Sequence, residues 1–281
     1  MKDRAIKEEH VKSSGLSGKN PDQLIVVKIG GNIIDDEVKL EQFLKDFAAI
    51  DGKKILVHGG GKLATQLAER LGIPQTLLEG RRITDGETLK IVTMVYAGFI
   101  NKRIVCLLQA QDCDAIGLTG ADGNLILAHK RNHPTIDYGF AGDIDQINSN
   151  LLVDLLDNGN TLVIAPITHD GHGQLLNTNA DTIAQEIART LASTFSVNLI
   201  YSFEKSGVLL DANDDRTVIH SIDPAYYEQL KREKKIFAGM IPKIDNAFAA
   251  LKTGVQKVTI GKAEELKLII LNAAGTKITN E

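Results

Sequence analysis

Lys28 stands in the apolar run Val27-Lys28-Ile29, two residues before the pair Gly30-Gly31. An ammonium group in a buried strand is costly without a partner, so Lys28 must either snorkel from a sheet edge or meet an anion where the strand ends. The next β run closes in the same way, with Val57-His58-Gly59-Gly60-Gly61-Lys62 leading into a helical pattern. At a strand, glycine, helix junction the backbone N–H groups can approach an anion closely, and the helix start adds partial positive charge. One such loop is as readily a conformational turn. Two in succession suggest a phosphate or carboxylate seat at the carboxyl edge of a parallel sheet.

Further polar groups lie downstream. Lys243 ends the turn Phe237-Ala238-Gly239-Met240-Ile241-Pro242-Lys243 before a helical stretch, Ile244 to Lys252, and taken alone is an ordinary surface lysine. Asn177-Thr178-Asn179-Ala180-Asp181 opens another helix, with Asn179 or Asp181 as the cap. Arg81-Arg82-Ile83-Thr84 offers guanidinium groups shaped to clamp a carboxylate, although spacing alone leaves them on the surface. His169-Asp170-Gly171-His172 pairs two histidines, but without HExxH or a cysteine and histidine cluster it reads as a solvated loop. No protein-bound metal is expected.

The common nucleotide motifs fail. Gly61-Lys62 is followed by Leu63 where a P-loop needs Ser or Thr, and Gly30-Gly31 lacks the G-x-G-x-x-G spacing that a nicotinamide-dependent dehydrogenase would need. No H-R-D loop or D-F-G triplet supports a protein-kinase fold.

The elements that must position these groups alternate. Short apolar runs at Leu24 to Ile29, Lys54 to Val57, Cys113 to Leu118, Leu125 to Ala128, Thr161 to Ile167, Val197 to Tyr201 and Lys257 to Ile260 read as strands covered on both faces. Helical periodicity fills the intervals at Val38 to Ile50, Leu63 to Leu71, Thr88 to Gln111, Asn150 to Asn158, Asp181 to Ala192 and Pro224 to Lys234. The alternation implies an α/β chain on a mainly parallel, doubly wound sheet. No proline-rich linker divides it, so the expected boundary near Asn177 is soft. It separates residues 23–176, which carry both glycine loops, from residues 177–281, with residues 1–22 as a flexible extension.

With 32 basic against 36 acidic residues, no charge surplus draws the whole chain to nucleic acid or anionic lipid, so any anion must be gripped locally. The longest apolar runs fall short of the roughly 20 residues that span a bilayer. Met1 to Asn20 lacks a secretory signal pattern. Cys106 and Cys113 have neither CxxC spacing nor scaffold density and read as two buried thiols in a reducing cytoplasm.

Seven segments, in order, resemble the amino acid kinase family, and within it the branch that phosphorylates N-acetylglutamate in arginine biosynthesis. They are VKIGGN (Val27 to Asn32), VHGGG (Val57 to Gly61), RRIT (Arg81 to Thr84), TGADGNLI (Thr119 to Ile126), DYGFAGDI (Asp137 to Ile144), NTNAD (Asn177 to Asp181) and GMIPK (Gly239 to Lys243). The resemblance implies a three-layer α/β/α sandwich on an eight-stranded, mainly parallel sheet of the carbamate kinase-like type. Residues 23–176 would bind the amino acid and dimerise, and residues 177–281 would bind ATP. Carried over by position, Lys28 and Lys243 flank the transferring phosphoryl group and Asp181 holds them in place. Gly60 and Gly61 meet the substrate's γ-carboxylate, while Arg82 and Asn177 hold its α-carboxylate and neighbouring backbone. Gly30 and Gly31 meet the phosphates, and Gly207, Gly239 and Met240 fall on the nucleotide side. Magnesium arrives with ATP, held by its phosphates. A carboxylate nucleophile needs no general base, which accounts for the missing catalytic histidine.

Two departures from the family pattern stand out. The nucleotide lobe reads Tyr201-Ser202-Phe203-Glu204-Lys205 where many members read T-D-V, which touches adenine and ribose recognition. Asn272-Ala273-Ala274-Gly275-Thr276 lacks the fuller pattern of arginine-inhibited members, and Met1 to Asn20 shows no apolar helix for ring assembly, so the expectation is a homodimer without arginine feedback. Two rivals remain at this level: an N-succinylglutamate kinase and a catalytically silent amino-acid or nucleotide sensor.

Overall fold

The computed structural model describes residues 22–280 apart from 79, 80, 212 and 237–239; the expected N-terminal extension and Gly239 therefore lie outside the described residues. β1 (Gln23–Ile29) is buried along nearly its whole length rather than on alternate residues, as a strand must be when helices cover both faces. It forms the centre of an eight-stranded sheet with β2 (Lys53–His58), β3 (Ala115–Leu118), β4 (Thr161–Ile164), β5 (Ser196–Phe203), β6 (Ser221–Ile222), β7 (Lys257–Lys262) and β8 (Thr276–Ile278), in the order β6-β8-β7-β5-β1-β2-β4-β3. Only the β7–β8 pair is antiparallel. The register sets Lys28 between Val57 of β2 and Tyr201 of β5, and Ile29 opposite His58. The loops that follow β1, β2 and β5 therefore leave from one edge, where Gly59 N–H donates to the Ile29 carbonyl at 3.3 Å.

The helices are α1 (Gly31–Ile34), α2 (Glu37–Ala48), α3 (Gly61–Arg70), α4 (Gly86–Gln109), α5 (Ser149–Asp157), α6 (Ala180–Leu191), α7 (Pro224–Arg232), α8 (Ile241–Lys252) and α9 (Leu266–Ile270). On one face α5 to α8 pack a continuous apolar layer that runs from Leu24 to Ile278 in the chain. On the other, α2, α3, α4 and α9 pack a second layer from Ile25 to Ile269. The chain is thus a three-layer α/β/α sandwich, and its two cores are divided by the sheet. Strands drawn from residues 23–164 make one half of that sheet and strands from 196–278 the other.

Several expected elements change. The run at Leu125 to Ala128 becomes Ile126–Lys130, outside the large sheet, paired antiparallel with Ala141–Ile147. That second strand escaped notice because Asp145 and Gln146 face solvent and, with Asp143, break the apolar run. The run at Thr161 to Ile167 divides at Ala165-Pro166, since Pro166 has no N–H to give to a ladder, and Ile167–His169 joins the smaller sheet with Leu175–Thr178. This small four-stranded sheet closes on itself above the carboxyl edge of the large one.

α4 is capped by Asp85, whose carboxylate accepts from Thr88 N–H at 2.8 Å, and it widens into π turns over Met94–Ile100. Although no apolar run of the sequence is long enough to span a bilayer, this helix is, by length and composition. Its Leu89, Ile91, Val92, Ile100, Ile104 and Leu108 are buried in the second core layer, which accounts for the apolarity. Cys113 is buried and its thiol donates to Thr161 Oγ1 at 3.3 Å, but Cys106 is exposed on α4, which corrects the expected pair of buried thiols.

The loop that leads into Ala141–Ile147 of the small sheet is tied to the segment around Arg82 by an isolated bridge between Thr84 and Gly139. Gly139 has φ +63°, and a Cβ there would lie 2.3 Å from the Thr84 carbonyl oxygen. Gly159 also has positive φ (+85°) but open space around it. Gly159→Ala should therefore lose about 1 kcal/mol from conformation alone, whereas Gly139→Ala must also displace backbone and lose clearly more in urea unfolding. Equal losses would show that the Thr84 contact yields freely.

Candidate active site

α6 begins with Asn179 as its cap, the side-chain oxygen accepting from Asp181 N–H at 2.8 Å and Thr182 N–H at 3.2 Å. Asn179 does the capping, so the Asp181 carboxylate is left for other partners. It finds two cations. Lys28 Nζ lies 2.8 Å from Oδ1 and Lys243 Nζ 3.6 Å from Oδ2. Lys243 sits in the first turn of α8, which begins at Ile241 rather than Ile244 because Pro242 suits a helix start. Its ammonium also stands 5.6 Å from the centre of the Phe203 ring, at the end of β5.

Burial alone would raise the Asp181 carboxyl, but Lys28 and then Lys243 overturn that and hold it below the ordinary carboxylate range. Burial lowers the Lys243 ammonium, with Lys28 adding to the effect and Asp181 opposing it. Two ammonium groups against one carboxylate leave one positive charge in excess. At about 4 Å and an effective dielectric near 20, that excess is worth roughly 4 kcal/mol to an incoming anionic oxygen.

Next to this cluster lies a cleft of about 170 Å³, lined by Gly59–Gly61, Arg82, Arg131 and Asn177 among others. Gly60 caps α3 with φ +150°. A Cβ there would lie 2.3 Å from Ile100 Cδ1 and 3.0 Å from Tyr96 Cδ1, so the loop rests directly on the wide turns of α4. Arg82 is buried behind it, donating from Nη2 to the Gly61 carbonyl and Thr65 Oγ1, each at 2.8 Å, and from Nη1 to Gln75 Oε1. Three of its five N–H donors are thereby taken, and the Tyr96 hydroxyl also bonds the guanidinium. Asn177 is fixed by a 3.0 Å hydrogen bond from Nδ2 to Thr84 Oγ1. The surface reading of Arg82 is thus excluded.

Arg131 and Tyr96 were not singled out from the sequence, yet both line the cleft. Arg131 is clamped by Asp143 through Nε and Nη2 across the Ile126–Lys130 hairpin. Arg131 stands six residues before DYGFAGDI, a position whose meaning is readable only once the hairpin is known. Gly30 and Gly31 lie at the end of β1 where α1 starts, beside a hydrogen bond from Asn32 Nδ2 to Glu204. Gly207 and Met240 are buried and do not line the cleft; a Cβ on Gly207 would meet Thr276 Oγ1 at 2.5 Å. The His169 loop is a turn in which Asp170 Oδ1 accepts from His172 N–H and Gln174 N–H. Among the described residues, no three His, Cys, Asp or Glu side chains converge to hold a metal.

The sequence model of the amino acid kinase family matches residues 23–262. The chain belongs to the amino acid kinase family. Within that family it is 54% identical over 259 residues to the acetylglutamate kinase of Cytophaga hutchinsonii, covering 91% of this chain and 98% of that one. To the acetylglutamate kinase of Bacteroides fragilis it is 52% identical over 251 residues, 89% and 96% of the two chains. The fold is shared with the solved Giardia carbamate kinase at a TM-score of 0.65 and 12% identity, over 94% of this chain and all of that one. In this amino acid kinase VHGGG, RRIT, DYGFAGDI and NTNAD each supply residues to the cleft, and VKIGGN and GMIPK supply Lys28 and Lys243 beside it.

His58, directly behind the triglycine loop, is fully enclosed, and burial pushes its imidazole down to about 4, against the Gly59 carbonyl that favours protonation. The unfolded chain, with an ordinary value near 6.5, takes up the proton first, so stability present above that pH is lost as pH falls through it towards 4. Urea unfolding from pH 7 to 4 should show a loss of about 3 kcal/mol that His58→Phe lacks. Parallel pH profiles in the two proteins would refute the assignment.

Proposed function

We propose that the chain transfers the γ-phosphoryl group of ATP to the γ-carboxylate of N-acetyl-L-glutamate, giving N-acetyl-L-glutamyl 5-phosphate and ADP, the second step of arginine biosynthesis. The observation that carries this reading is the Lys28–Asp181–Lys243 cluster, with its net positive charge, beside a cleft walled by Gly60, Gly61, Arg82 and Asn177. The relatives named acetylglutamate kinase support acetyl over succinyl on the acceptor.

In this reaction the acceptor carboxylate attacks the γ-phosphorus and ADP leaves. The two lysines neutralise charge spreading over the phosphoryl oxygens, and Asp181 keeps the two like charges together before the substrate arrives. Arg82 and Asn177 hold the α-carboxylate and backbone of the acceptor, and Gly60 and Gly61 hold its γ-carboxylate. Gly30 and Gly31 face the phosphates, with Gly207, Gly239 and Met240 shaping the nucleotide side. Residues 23–176 serve the amino acid and residues 177–281 the nucleotide. Magnesium accompanies ATP, because Asp181, the carboxylate between the two lysines, is already paired with both cations. Bound there, the metal would neutralise phosphate charge.

The enzyme is a cytoplasmic homodimer in this reading. Leu63, Leu67, Met94, Val95 and Phe99 form an apolar groove on α3 and α4, and Met94 and Phe99 are 55% and 58% exposed, suited to a second copy of the chain.

ADP release assayed with N-acetylglutamate, N-succinylglutamate, glutamate and UMP should show turnover with the first; binding of ATP and N-acetylglutamate without ADP would favour a silent sensor. Lys28→Ala and Lys243→Ala should each lower kcat about 100-fold or more, comparable to losing a preorganised oxyanion donor. Arg82→Ala should mainly raise the KM for the amino acid, with circular dichroism confirming that each variant is folded. Near-normal kcat in both lysine variants would sink the assigned roles.

A further inference from the structure

His58 ends β2 with no exposed surface, and its ring lies in a chain of hydrogen bonds whose direction can be read from the outside in. Asn101, also fully buried, places Nδ2 3.0 Å from the Val163 carbonyl, which can only accept. Its Oδ1 lies 3.1 Å from Lys102 Nζ, which can only donate. The amide orientation follows, and the same Nδ2 stands 3.2 Å from His58 Nε2. Nε2 must therefore accept. The imidazole, neutral because it is enclosed, carries its proton on Nδ1 and donates it to the Gly59 carbonyl at 2.8 Å.

That carbonyl belongs to the peptide joining Gly59 to Gly60, and no peptide in the described residues is cis. In a trans peptide the N–H points away from the C=O. Anchoring the Gly59 oxygen on the buried ring thus turns the Gly60 N–H the other way, and Gly60 lines the cleft. We propose that His58, held in its Nδ1–H tautomer by Asn101, is a positioning residue that presents the Gly60 N–H to the acceptor's carboxylate. The proposal rests on the reading of Gly60 and Gly61 as the carboxylate seat.

The surrounding structure is built around the same chain. The π turns of α4 bring Asn101 round towards the face that carries Tyr96 and Ile100, both of which abut Gly60. An ordinary α turn would swing it aside. Gly117 makes room for it, since a Cβ there would lie 2.0 Å from Asn101 Oδ1, and Lys102 Nζ is held by the Gly117 carbonyl at 2.8 Å. A glycine triplet alone leaves its peptide planes free to rotate; the ring, the amide and the lysine remove that freedom before any substrate binds.

The test has two arms. Nitrogen-edited NMR of the histidine rings in the wild-type protein, with His58 assigned by its loss in His58→Phe, should show Nδ1 protonated and Nε2 bare; a proton on Nε2 would overturn the proposal. In steady-state kinetics His58→Phe should raise the KM for N-acetylglutamate about tenfold, the loss of one well-aimed charge-assisted hydrogen bond, with the KM for ATP within twofold of wild type. Should that variant not fold, Asn101→Leu keeps the ring but frees its tautomer, and a mixed tautomer with a raised acceptor KM is expected. An unchanged acceptor KM in a folded variant would refute positioning while leaving the functional reading intact. Absence of wild-type turnover with any N-acylglutamate would overturn both, whatever the tautomer.

Discussion

Two ammonium groups cannot be kept close together inside a protein unless something between them carries the opposite charge, and Asp181 does so here. Lys28 arrives on the central strand and Lys243 on a helix more than two hundred residues later in the chain, with Asp181 on a third element between them. The carboxylate brings together the two halves of the large sheet as well as two charges. It also leaves the pair overcharged by one, which is the condition for attracting an anion. Removing Asp181 would leave two like charges facing each other in a low dielectric, so the carboxylate is at once a structural joint and the centre of a preorganised electrostatic group.

The glycine loops do complementary work on the backbone. Because β1 and β2 are adjacent and parallel, their carboxyl ends place both loops side by side, and α3 begins with Gly61. The Gly60 conformation is one that L side chains rarely adopt, and Ile100 and Tyr96 fill the space a Cβ would need. Arg82 then fastens the start of α3 through the Gly61 carbonyl and Thr65. The cleft wall is therefore set by contacts that exist without ligand.

Much of this was legible in the sequence, for identifiable reasons. Strands buried on both faces produce unbroken apolar runs, and β1, β2, β5 and β7 appeared within about two residues of their bounds. Lys28 betrayed itself by interrupting such a run. The small sheet was harder, because its strands face solvent on one side and Pro166 hides the point at which one run becomes two strands. Arg131 and Tyr96 reach the cleft only through pairing and helix packing, information that no local pattern carries. The roles of Asp181 and Arg82 came from resemblance; residue type and spacing left one as a helix cap and the other on the surface. Cys106 shows the reverse error, since an apolar helix was read as wholly buried when one side of it is open.

Both apolar layers run without interruption beneath strands from either half of the chain. The proposed amino-acid half and nucleotide half are thus divisions of labour rather than independent folding units. A chain cut near Asn177 would expose the unpaired edge of β1 and strip each layer of much of its partner surface, leaving a template for intermolecular strand pairing. The gene for such an enzyme can be recombined around its loops, but not across the seam between β1 and β5.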